Sequence, residues 1–412
     1  GTSLLVGGSA VGGADLYAAN ESSPNAQPSA TGTNAIAIGD RAVATREDSL
    51  AVGTDTDATG DVSTALGAGA QATGDYSLAV GLNATSSGAR AVGIGNNGVV
   101  AGSTYSTAIG HTSGGGGSVT ATGAGAMALG GSRASGVDSL AAVVNNNTSS
   151  YGALGANTIA MGQRAKASDG TSIAIGQDVT SANGSVAIGL DNTASATGTA
   201  AFGNNANAVG VRAVALTYSN AGGTDSFAAA IGQSGNSRGA QAAQAVAIGN
   251  NAYVQGTAAI GLGYSATIGS SGTRAVALGD SYANGMDSFA AVIDNNTSSY
   301  GAASNYAIVM GQNSKGSSTE TIAIGISTQA TANAAVAIGG FSEATAQRGV
   351  ALGTYAKAAT IGKFAFSNQR FAAAGDSQGG LFILRADTTD ATATVLTTNN
   401  STAAATNQIV AA

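Results

Sequence analysis

Few residues in this 412-residue chain have the type and spacing that chemistry requires. His111 is the single histidine and lies in a glycine-rich stretch. A Ser/His/Asp relay needs its imidazole held by a carboxylate, and a multi-histidine metal site needs a second ring. His111 therefore reads as a surface residue. Gly93-Ile94-Gly95-Asn96-Asn97-Gly98 has the glycine spacing of a dinucleotide fingerprint. That motif works at the start of a helix, and no helical pattern follows here. Asp55 with Asp57, or Glu47 with Asp48, would supply the paired carboxylates of glycoside hydrolysis. They sit in polar, turn-like stretches and read as solvated corners. The chain has no cysteine, which excludes disulfides and thiolate metal sites. No catalytic, cofactor-binding or metal-binding residue is expected, no cofactor is expected, and the chain is not expected to be an enzyme.

What remains is recognition by loops. Asn145, Asn146, Asn147 and Tyr151 belong to a polar insertion that returns further along the chain with Asn295, Asn296 and Tyr300. The enclosing copies read DSLAAVVNNNTSSYGALGANTIAMGQ from Asp138 and DSFAAVIDNNTSSYGAASNYAIVMGQ from Asp287. Polar loops held on a rigid scaffold are where binding usually resides. These residues are candidate receptor contacts, with the two tyrosines either plugging the insertion or offering a stacking platform. Asn146-Asn147-Thr148 also fits a glycosylation sequon, which is idle in most bacterial or phage settings.

The elements that would position those loops are set by a short repeat. An alanine–aliphatic–glycine triplet returns at constant spacing at Ala37-Ile38-Gly39, Ala51-Val52-Gly53, Ala65-Leu66-Gly67 and Ala79-Val80-Gly81. The beat is followed through Gly95, Gly110, Gly130, Gly162, Gly176, Gly189, Gly203, Gly232, Gly249, Gly261 and Gly279 to Gly353, with Val144, Thr217, Ile293 and Ser367 standing in where glycine is missing. A short period, here about 14 residues, decides the architecture before any single residue does. Within Ser49-Leu50-Ala51-Val52-Gly53 the alternation has period two, which is a strand with one small and one bulky face. A second short segment ending in glycine, such as Gln71-Ala72-Thr73-Gly74, follows about half a period later. Two strands and two turns per period make one flattened coil of a parallel β-roll. Glycine belongs at its corners, where the chain reverses and the next coil crowds it. A helix is excluded by the alternation and by the two glycines in each period.

Composition agrees. There are 63 glycines and 2 prolines, hydrophobic residues make up 43%, and charged residues only 9% against about 25% in a typical domain. Alanine dominates, so any core is thin. Net charge is −7 without a basic cluster, which disfavours nucleic acid and anionic membranes. No apolar run approaches the roughly 18–20 residues that span a membrane. The long strand is apolar on both faces, which predicts the roll interior on one side and a neighbouring subunit on the other. Sequence leaves open which face looks inward. Residues 1–34 contain both prolines and read as an irregular segment or cap, 35–367 as the roll, and 368–412 as a small β element leading to a further domain. Gly1 is not an initiator methionine, and the chain reads as a trimmed piece of something longer.

The units NAIAIGDRAVATREDSLAVG from Asn34 and DYSLAVGLNATSSGARAVGIG from Asp75 resemble the YadA-like head repeats of trimeric autotransporter adhesins. That resemblance implies an all-β, left-handed parallel β-roll (a β-solenoid) assembled as a homotrimer that displays an adhesive surface. The neck and coiled-coil stalk usual in that family have no counterpart here. The segment FAAAGDSQGGLFILRADTTDATATVLTTNN from Phe371 is instead similar to a module of bacteriophage tail-fibre and virion proteins. Together the two imply a virion fibre that binds a host surface glycan or protein receptor alongside other virion proteins, with a bacterial cell-surface adhesin head as the alternative. A polysaccharide-acting tailspike enzyme is the remaining, disfavoured reading.

Overall fold

The computed structural model describes residues 5–6, 9–10, 27–111, 118–143, 150–229, 232, 238–294, 299–386, 394–399, 401–404 and 407. Every regular element among them is a β-strand. The chain divides into two compact units, 1–204 and 205–412, at a point inside the repeat.

In the first unit the repeat builds two parallel ladders. Long strands Ile36–Ile38, Leu50–Val52, Thr64–Leu66 and Leu78–Val80 pair in register, with Ala37 beside Ala51, Ala51 beside Ala65 and Ala65 beside Ala79. Short strands Ser29–Ala30, Val43–Ala44, Asp57–Ala58 and Gln71–Ala72 make the second ladder. One long strand, one short strand and two turns complete each coil of a parallel β-solenoid, and the registers step by one sequence period per coil. Twelve long strands stack in this way from Ile36–Ile38 to Ala200–Asn204. The second unit repeats the scheme with eleven, from Val214–Leu216 to Phe364–Ser367.

The small face is the inner one. A coil walled by a three-residue and a two-residue strand encloses a single thin layer of side chains. Thr56, Ala58, Ser63 and Ala65 fill one coil and Ala70, Ala72, Ser77 and Ala79 the next, none more than 2% exposed. Leu50, Val52, Leu78 and Val80 flank these positions and turn outward, half-buried. Interior hydroxyls at Ser63 and Thr56 are matched to carbonyls that the turns would otherwise strand, whereas the buried Ser77 hydroxyl has no such partner. Ser63 Oγ donates to Gly60 O at 2.7 Å and Thr56 Oγ1 to Gly67 O at 2.9 Å.

The two glycines of a coil are needed for different reasons. Gly67 ends the long strand with φ 119°, a conformation that L side chains rarely adopt. Gly74 has no such φ, but a Cβ there would lie 2.2 Å from Gly88 O in the next coil. Four beats counted from sequence are displaced, among them Gly232, which stands three residues beyond the end of strand Phe227–Ala229. Gly261 stands in the inner alanine register between Ala247 and Ala277, and Gly263, with φ 108°, closes that strand. Gly261 is small because Val254 fills the interior opposite, 2.7 Å from where its Cβ would be. Likewise Val143 and Val292 follow the ends of strands Leu140–Ala142 and Phe289–Ala291, one residue before Val144 and Ile293.

The last coil is closed by a different device. Strand Gly379–Leu381 pairs antiparallel with Phe364–Phe366 and covers the long-strand edge. Gln378 covers the short-strand edge with its side chain. Lys357 N donates to Gln378 Oε1 at 2.7 Å, and Gln378 Nε2 donates to Lys357 O at 2.9 Å. One amide group thus supplies the donor and the acceptor that a further strand would bring.

Candidate functional site

Because alanine lines the interior, the bulky aliphatic residues form an outward column in each unit. In the first it runs along Ile36, Leu50, Leu78, Met127 and Ile159 with Val52, Leu66, Ile109 and Ile188 beside them. Ile36 is 50% exposed and Met127 42%. In the second it includes Ile260, Ile308, Met310 and Ile338. Single exposed apolar residues are ordinary, whereas a stack of them on successive coils is a contiguous apolar surface of the kind that marks an interaction site.

A second feature is the stacking of turn side chains at coil spacing. The third residue of many described turns takes positive φ, as at Arg41, Asp48, Asp55 and Tyr76. Side chains from successive coils therefore lie one above another. The Arg41 guanidinium makes a two-pronged ion pair with Asp55, as does Arg164 with Asp178. Arg212 meets Asp225 at 2.6 Å, and Arg274 meets Asp287 at 2.6 and 2.7 Å. In each case the hydrogen-bonded guanidinium holds the aspartate below its ordinary pKa. Arg90 lies between Tyr76 and Tyr105, 5.2 and 5.5 Å from their ring centres.

These columns absorb most of the residues with chemical potential. Asp55 is engaged by Arg41, while burial, and then the charge of Asp55, raise Asp57. Asp48 accepts from Asn34 Nδ2 at 3.0 Å. His111 ends strand Thr107–His111 and pairs in register with Asn96. The Gly93–Gly95 stretch lies inside strand Val92–Asn96. Among the described residues no cluster of His, Cys, Asp and Glu could hold a metal ion. Asn145, Asn146, Asn147, Asn295 and Asn296 lie outside the described residues. Tyr151 and Tyr300 are half-buried and stand one in each unit, immediately before short strands Gly152–Ala153 and Gly301–Ala302. The turn columns were readable in principle: Arg41 and Asp55, or Phe341 and Tyr355, are one period apart.

Fold and ladders define a repeat protein of the parallel β-solenoid class. Within that class the repeat is similar to the YadA head: the family model described as the YadA head domain repeat (2 copies) matches residues 30–56, 58–84, 72–97, 153–178, 194–216 and 317–342. No curated protein matches the chain.

Proposed function

We propose that this protein is a non-enzymatic attachment fibre in which three copies lie side by side through their long-strand faces. The outward aliphatic column carries the proposal, since its burial against like copies is the direct way to remove that surface from water. The YadA head repeats support the same arrangement, because heads of that type are surface-displayed homotrimers. Engagement of Asp55 by Arg41 supports a display role over hydrolysis. The finer placement is on a virion, as a tail fibre that contacts the host surface. It rests on the similarity of the segment from Phe371 to a virion module. The YadA repeats favour the second placement, a bacterial cell-surface adhesin head. Antibody labelling of purified virions and of producing cells separates the two. Label on virions, with adsorption blocked by the free fibre, is expected. Label confined to the outer surface of uninfected cells would overturn the virion placement. Release of reducing ends from host polysaccharide would overturn the non-enzymatic reading.

A further inference from the structure

In the second unit the turn column ends in aromatic residues. Phe341 and Tyr355 stack with ring centres 5.0 Å apart and planes 11° apart. The Arg370 guanidinium lies 4.0 Å from the Tyr355 ring centre and closes that end of the column. On the other side of Phe341 the next residue of the column is Ser327, which shares the same positive-φ turn position. Serine is too short to cover a phenyl ring, and Phe341 is left 44% exposed. Beside this column run the outward residues of the short-strand ladder, Gln329, Glu343 and Lys357, neighbours in register. Glu343 and Lys357 form an ion pair at 3.0 Å. A cleft of about 450 Å³ lies between the two columns, a size common among small-ligand sites.

Its far wall, Ala372–Ala374, is held in place. Asp376 accepts backbone N–H bonds from Phe371, Ala372 and Ala373 at 2.6–2.9 Å. These bonds keep the Asp376 carboxyl below its ordinary pKa. Gly375 N donates to Tyr355 O at 2.9 Å, which ties the wall to the last coil.

We infer that this cleft is a saccharide-binding site, with a pyranose ring stacked on the open face of Phe341 and its hydroxyls bonded to Gln329 and Glu343. The apolar C–H face of a sugar matches an uncovered aromatic ring, and adjacent hydroxyls match an amide and a carboxylate. The cleft spans three coils, roughly 10 Å at one strand spacing per coil. That length suits a short stretch of glycan lying along the ladder. The site goes beyond the attachment reading by naming where and what is bound, and it rests on that reading only for the biological source of the glycan.

The test is binding of the full chain to an array of gluco-, galacto-, manno- and N-acetylhexosamine oligosaccharides, followed by titration of the best binder. Phe341→Ala is expected to weaken binding about tenfold or more, as loss of a central aromatic anchor does. Ser327→Tyr fills the slot with the protein's own ring, at a position type that already accepts Phe341 and Tyr355, and is expected to abolish binding with the melting temperature retained. Tyr76→Ala, an exposed turn aromatic elsewhere, is expected to leave binding unchanged. Absence of any bound saccharide, or binding unaffected by Ser327→Tyr, would overturn the site. Cell attachment by a fibre that binds no saccharide, or whose saccharide binding both cleft variants leave intact, would remove the site and leave the attachment reading standing. Saccharide binding that both variants abolish, in a fibre that attaches to no cell, would do the reverse.

Discussion

The edge of an inner short strand and the edge of the last one, Lys357–Ala358, pose the same problem and meet different solutions. Inside the stack, Glu343 N donates to Ala356 O and Thr331 N to Ala344 O, so each coil is closed by the backbone of the next. At Lys357 the partner is a single side chain, Gln378. The stack thus depends on uniform backbone geometry that many side chains tolerate, whereas the cap depends on one residue that no repeat pattern announces. Coils ask only for small residues at fixed places. The cap asks for a specific amide.

The largest effect is expected where coil spacing itself is violated. Gly74→Ala places a methyl 2.2 Å from Gly88 O, backbone against backbone. It should cost about 2 kcal/mol or more, read by thermal unfolding. Gly340→Ala is the matched control, because a Cβ there meets nothing within 4 Å. It should change stability by no more than about 1 kcal/mol, in the stabilising direction. Equal destabilisation by both would show that stacking contact is not what selects glycine.

A middle-sized effect is expected at the cap. Gln378→Ala leaves Lys357 N and O without protein partners, a loss of about 1–3 kcal/mol confined to the last coil. Hydrogen exchange at the Lys357 amide should accelerate while that of Ala65, inside the first unit, stays unchanged. Unaltered protection at Lys357 would mean that Gln378 is not the closing group.

The smallest effect is expected from the turn ion pairs. Asp55, Asp178, Asp225 and Asp287 have folded pKa values below the ordinary 3.8. Their contribution is therefore complete above that value and is lost as pH falls through the lowered folded values. All four pairs are open to solvent, so the loss should be slight and should shrink further in salt. Arg41→Gln should flatten its share of the acid dependence in a melting-temperature series across pH 2–5.

Much of the fold is legible in the sequence because one short, fixed period constrains every coil at once. Alternation around Ala51 gives the strand, and Gly53 gives its end. The inward face was not legible from pattern alone, because Leu50 and Ala51 present two apolar faces of equal plausibility. Volume decides between them: a coil this short has no room for two facing leucines. Gly261 reads as a beat in sequence, but Gly263 two residues later closes the strand, and Val254 reverses the usual size order in that coil. The cleft at Phe341 is not legible in the sequence. Its aromatic pair is visible at coil spacing, but its wall comes from Arg370 to Ala374, beyond the repeat, where no period fixes position. The polar insertions Asn145–Tyr151 and Asn295–Tyr300 remain candidate contacts on sequence grounds.

The outward aliphatic column is tested most directly by mass. Light scattering of the full chain should give three times the chain mass of 39.0 kDa. A variant with Val52→Asp, Leu66→Asp and Val80→Asp, all outward on successive coils, should shift the population towards the mass of one chain while keeping its β-sheet circular dichroism. A wild-type mass of one chain would contradict burial of this face between copies.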